Sequence, residues 1–192
     1  MIMKIDADID VDMQNREQLL EVIRHVPAAM RNVSPVRKHS SGIYGMDIPY
    51  DPINQMATMD YTTAEKRGYF KLDLLNVFVY SLIKSEEHLL EMMQREPDWD
   101  RLRVRSFVIQ LIHLSNHYDS IMRQPEPIDS IPRLAMFLSA IRPAKRHLLG
   151  QTWKEINEEV WEKGDGYTFR KSHAIAYAHL VVLHMNLIST SV

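Results

Sequence analysis

The stretch KIDADIDVDM, residues 4–13, alternates strictly: Ile5, Ala7, Ile9 and Val11 fall to one side, Asp6, Asp8, Asp10 and Asp12 to the other. A period of two is that of a β-strand, so residues 2–12 are expected to form one, with an apolar face and an acidic face. Successive carboxylates on that face stand about 6.6 Å apart along the strand. Like charges in a row repel, so such a strand persists only where solvent or cations neutralise it. Two such carboxylates can reach a pair of divalent ions about 3.5–4 Å apart, the arrangement used for in-line phosphoryl displacement. Their hard oxygens suit Mg²⁺ or Mn²⁺ rather than zinc. The alternative is an edge strand whose charges block aggregation, a task for which edges favour lysine, and the run from Asp6 to Asp12 has none.

Working outward, YFKLDL at 69–74 alternates in the same way, with Phe70, Leu72 and Leu74 opposite Lys71 and Asp73. A third carboxylate from this strand completes a two-metal site, and the ammonium two residues away could hold a phosphate. Taken alone, Lys71 and Asp73 also read as a surface ion pair. Between the two strands, NREQLLEVIRHV at 15–26 has helical spacing (Leu19, Leu20, Ile23, Val26) and Pro27 is expected to stop it. Residues 31–41 are basic and polar, with Arg37, Lys38 and His39 among them. Strand-like runs at 42–48 and 56–61 flank the turn YDPIN at 50–54, and Thr62 or Thr63 can cap a short helix that Gly68 ends. From residue 75 the pattern is nearly all helical: 75–95, 99–118, 130–141, 152–163 and 172–189, punctuated by Pro97, PEP at 125–127, Pro143 and Gly164–Asp165–Gly166, with a capping box from Thr152 to Glu155. The fold class expected is α+β: a small mixed sheet in residues 1–90, then a helical region over 91–192.

Composition narrows the chemistry. The 192 residues are 45% hydrophobic and contain no cysteine, so the chain can build a core without staples, and thiol nucleophiles, thiolate metal sites and disulfides are excluded. The balance of 23 basic against 25 acidic residues gives a net charge of −2, which is not that of a basic nucleic-acid coat; any polyanion site must be local. Arg170 and Lys171 precede a helix that Ser172 can cap, and a helix start beside two cations can bind phosphate; two solvated loop residues are the plainer alternative. Arg142, Lys145, Arg146 and His147 form a second cluster, whereas Arg101, Arg103 and Arg105 read as mostly solvated. His113 and His117 have the i, i+4 spacing of zinc ligands but lack an acidic third ligand, so they are expected to be an ordinary helix-face pair. No run reaches about 18 apolar residues, and a soluble, cytoplasmic protein without membrane association is expected.

Five blocks, in order, resemble the C-family DNA polymerases, the alpha subunit of bacterial DNA polymerase III. DIDVDM at 8–13 with its following helix is similar to the palm motif, and RKHSSGIYGM at 37–46 to the next strand. ATMDYTTAEKRGYFKLDLLNV at 57–77 is similar to the segment carrying the third palm carboxylate. PEPIDSIPRLAMFLSAIRPAK at 125–145 and GYTFRKSHAIAYAHLVVLHMNLI at 166–188 resemble blocks of the fingers. The resemblance implies a polymerase-beta-like nucleotidyltransferase palm followed by a truncated fingers-like region. In it Asp10, Asp12 and Asp73 would be catalytic and hold two Mg²⁺ (or Mn²⁺), with Asp8 a leading, non-ligating acid. Lys71, Arg142, Arg170, Lys171, Ser172 and His173 would bind the nucleotide. The partners implied are a DNA primer-template, deoxynucleoside triphosphates and other replisome subunits or a complementing polymerase fragment. The chain departs from the family pattern at Asn76-Val77, Ala144 and Arg170, and only about 60 residues separate Asp12 from Asp73, too few for the family's thumb. So reduced a version suggests a viral (phage) or mobile-element product acting in a host cytoplasm, or one piece of a split enzyme. A catalytically inactive, polymerase-derived DNA-binding or replisome accessory protein is the alternative.

Overall fold

In a computed structural model, describing residues 9–30, 35–162 and 169–190, the chain divides into two compact units, Met1–Ser81 and Leu82–Val192. The division expected from sequence fell at 90/91. Asp6, Asp8 and Gly164–Asp165–Gly166 lie outside the described residues.

The first unit holds a four-stranded mixed sheet of order β1-β6-β3-β2. The acidic strand β1 (Ile9–Met13) is an edge, paired in parallel with β6 (Leu72–Asn76). Helix α1 (Arg16–Val22), capped by the Asn15 side chain, crosses between them in the chain. Asn76 ties its start to the end of β6: Oδ1 accepts the Arg16 N–H at 2.6 Å, and Nδ2 donates to Glu17 at 3.1 Å. The helix ends well before Pro27, which sits inside β2 (Val26–Ala29), the opposite edge of the sheet. A proline lacks the N–H a central strand needs, and an edge tolerates that loss.

Strand β3 (Lys38–Tyr44) draws part of the expected basic loop into the sheet and runs antiparallel to both β2 and β6. The run expected over 56–61 shrinks to β5 (Met56–Ala57), paired with β4 (Tyr50–Asp51). Asp60, rather than Thr62 or Thr63, caps α2 (Tyr61–Lys66): its carboxylate accepts the Thr62 and Thr63 N–H groups, and both threonine hydroxyls donate to it from inside the first turn. Ala28, Tyr44, Ile48, Ala57 and Ala64 form the small core beneath.

The second unit is helical: α3 (Glu86–Gln94), α4 (Arg105–Val108), α5 (Tyr118–Met122), α6 (Ile131–Ala140), α7 (Trp153–Glu159) and α8 (Lys171–Ser189). Helix α6 is buried on every side from Leu134 to Ala140, as befits a central helix. Helix α8 packs on it through Ala174, Ala178, Val181 and Met185. Two buried polar side chains of α8 bond the backbone of its neighbours. Asn186 Nδ2 donates to the Met92 and Arg95 carbonyls at 2.9 and 2.8 Å, and His184 Nδ1 accepts the Ile112 N–H at 3.1 Å. The Thr152 capping box of α7 forms as expected.

The helices expected over 75–95 and 99–118 are broken up. Residues Phe78–Leu82 and Trp99–Arg103 are tighter 3-10 turns, and His113 has φ 61°, a left-handed conformation that no continuous helix accommodates. His113 and His117 therefore do not share a helix face. No helix among the described residues is long and apolar enough to cross a membrane.

Candidate active site

The register of β1 on β6 places Asp10 opposite Asp73, with Val11 opposite Leu74 and Asp12 opposite Leu75. Register partners on neighbouring strands project to the same face about 4.8 Å apart, and Asp12 follows two residues along that face. The three predicted carboxylates thus share one side of two adjacent parallel strands. Lys71, two residues before Asp73, reaches the same place, and its ammonium donates to Asp73 Oδ2. Both side chains are largely shielded from water, at 17% and 15% exposure.

Strand β3 supplies the remaining walls. Gly42 is the register partner of Asp73 on that side, and the Lys71 methylenes lie across it so closely that a Cβ there would meet Lys71 Cδ at 2.5 Å. Ser41 Oγ donates to Asp73 Oδ1 at 2.8 Å. Tyr61, fixed at the start of α2, places its ring 5.8 Å from the Lys71 ammonium and edge-on to His39 at 5.6 Å. Burial, reinforced by the Lys71 ammonium, holds the His39 imidazole below its ordinary pKa against the opposite pull of Asp73. Burial, with the Asp12 carboxylate nearby, raises the Tyr80 phenol.

The other predicted site residues lie in the second unit. Arg142 stacks its guanidinium on the Phe169 ring at 4.4 Å, and Phe169 touches the rings of His173 and Tyr177. Arg170, not Ser172, is the N-cap of α8, and no side chain caps that helix; Ser172 lies within its first turn. Lys171 is exposed, its ammonium 5.5 Å from the Trp161 ring. Arg142, the start of α8 and His173 therefore form one cationic and aromatic group. Lys145 and His147 are used internally instead. Buried Lys145 donates to the last-turn carbonyl of Glu159 at 2.8 Å, and His147 Nε2 lies 2.6 Å from the Glu159 carboxylate.

Comparison with family models, curated proteins and solved structures returns no match for this chain. Among the described residues no group of three or more His, Asp or Glu stands close enough together to hold a metal ion. Asp10, Asp12 and Asp73 present carboxylate oxygens, the hard ligand type that suits a divalent cation, from one face of β1 and β6, and Lys71 holds one oxygen of Asp73.

Sequence reading missed Ser41, Gly42, Tyr61 and Tyr80 as members of this neighbourhood, and left His39 open between a place near primer-template or nucleotide, which the resemblance implies, and a polar loop. Strand alternation from Gly42 would have pointed Ser41 away from Asp73. The KHSSG spelling carries no mark of the irregularity that turns it back.

Proposed function

We propose that the chain is the reduced core of a nucleotidyltransferase of the C-family polymerase type, a template-directed DNA polymerase acting on a primer-template and deoxynucleoside triphosphates. The observation that carries this reading is the shared face of Asp10, Asp12 and Asp73 on two adjacent parallel strands. In the reaction a primer 3′-hydroxyl attacks the alpha-phosphorus of the nucleotide; the new P–O bond forms as the bond to pyrophosphate breaks. Asp10, Asp12 and Asp73 would hold two Mg²⁺, with Mn²⁺ as a substitute; the ions supply stabilisation of charge on the attacking and leaving oxygens. Lys71 provides an ammonium on the same face, anchored until needed by Asp73. Arg142, Arg170, Lys171, Ser172 and His173 form the phosphate-binding group of the second unit, where guanidinium and ammonium donors join uncapped helix N–H groups.

One observation favours the alternative, a polymerase-derived accessory protein that binds DNA or replisome proteins without turnover: both oxygens of Asp73 are already bonded, to Ser41 and Lys71. Deoxynucleotide binding in the presence and absence of Mg²⁺ separates the readings. For a nucleotidyltransferase, Mg²⁺ strengthens binding to the wild type and does not do so for the Asp10→Asn/Asp12→Asn variant. Equal Mg²⁺ dependence in both, or none in either, favours the accessory protein.

A further inference from the structure

We propose that His39 is a positioning residue that sets the surroundings of Asp73 through the backbone of β3. The observation is an irregular register. Val26 pairs with Tyr44 and Pro27 with Ile43, so regular antiparallel pairing would bring Ala29 opposite Ser41; Ala29 instead pairs with Lys38. Three extra residues of β3 are therefore accommodated between the two sets of pairs, a bulge that redirects the strand.

The His39 imidazole closes this bulge. Its Nδ1 accepts the Gly42 N–H at 2.9 Å and the Ser41 N–H at 3.3 Å. Two backbone donors converging on Nδ1 leave no proton there, so the ring is neutral and protonated on Nε2. The 3.6 Å approach of Nδ1 to Asp73 Oδ1 is consequently no ion pair. What the bulge achieves is the placement of two neighbours of Asp73. Ser41 Oγ is turned onto the carboxylate face, where it donates to Oδ1. Gly42 is laid bare beneath the Lys71 methylenes, which lets the ammonium reach Oδ2. The Tyr61 ring packs edge-on against the imidazole at 5.6 Å.

The consequence for cation binding rests on the nucleotidyltransferase reading; the backbone role does not. Three full-chain variants test the two separately. Asparagine places its carbonyl oxygen near where Nδ1 stands, glutamine near Nε2, and alanine supplies no acceptor. Hydrogen exchange of the Gly42 amide, followed by NMR, reports the bulge. Titration with Mn²⁺ alone, followed by EPR, reports the carboxylates. His39→Asn is expected to keep Gly42 protection and Mn²⁺ affinity within about threefold of wild type, whereas His39→Gln and His39→Ala lose about tenfold or more in each. Unchanged Gly42 protection in His39→Ala, or equal behaviour of the asparagine and glutamine variants, overturns the positioning role. Should the alanine variant not fold, the asparagine–glutamine pair still decides it. A wild type that takes up no Mn²⁺ overturns the nucleotidyltransferase reading, and the Gly42 amide then decides the role of His39 by itself.

Discussion

Asp10 and Asp73, 63 positions apart in the chain, are register partners on two parallel strands. Parallel pairing requires a crossover, and everything between them, including α1, β2, β3 and α2, serves as that connection. The pairing converts an alternation legible in each strand alone into a shared carboxylate face. Because the period is two, a slip of one residue in this register would put the aspartates of β1 and Asp73 of β6 on opposite sides of the sheet.

The fit of Lys71 over Gly42 predicts a strong effect from one methyl group. In Gly42→Ala the Cβ would stand 2.5 Å from Lys71 Cδ and 3.0 Å from His39 Nδ1, so the lysine stem must shift from its place over the strand. Urea denaturation is expected to show a loss of about 1–3 kcal/mol. An unchanged midpoint would show that the lysine has other places to go.

Tyr44 predicts a change in the other direction. It is 1% exposed, and its hydroxyl has no hydrogen-bond partner among the described residues. Burial, with lesser contributions from the Asp60, Asp73 and Glu65 carboxylates, pushes its phenol up to about 12. An unbonded buried hydroxyl is a cost, so Tyr44→Phe is expected to equal the wild type or exceed it by up to about 1 kcal/mol in the same assay. A loss of stability would reveal a bond to the hydroxyl.

How much of this was readable in advance follows from the range of the forces involved. The alternation around Asp10 and around Asp73 is local, and so were the central helices α6 and α8, whose apolar residues and flanking proline or cations mark them. The bulge at His39 is not local. It arises from a side chain bonding its own strand while that strand is held between two others. Pro27 looked like a helix stop because its missing N–H bars it from most strands; only the order of the sheet shows that it lies on an edge. Likewise Asp60 outcompetes the neighbouring threonines as a cap, since a carboxylate can accept two amides and two hydroxyls together. His113 breaks a helix that its neighbours favour, because its ring packs edge-on to Tyr177, 64 residues later, at 4.4 Å.

His113 also gives a pH dependence. Burial first, then the Arg142 guanidinium, lowers its pKa from 6.5 to about 4. The folded state therefore favours the neutral ring, and this contribution is fully present above pH 6.5. As the pH falls from 6.5 towards 4, the unfolded chain takes up a proton that the folded one refuses, and stability is lost. Asparagine tolerates the left-handed backbone at this position and does not titrate there. Denaturation midpoints across this window are expected to fall more steeply for wild type than for His113→Asn; parallel curves would assign the acid sensitivity to other groups.

Nucleotidyl transfer at the carboxylates shared between β1 and β6 is the proposed activity. Incorporation of labelled deoxynucleotides onto a primer-template with Mg²⁺ or Mn²⁺, wild type beside Asp10→Asn and Asp73→Asn, tests it most directly. Template-directed extension is expected of the wild type, with a fall of about a hundredfold or more in each variant. No extension by the wild type with either ion, or equal extension by the variants, would contradict it.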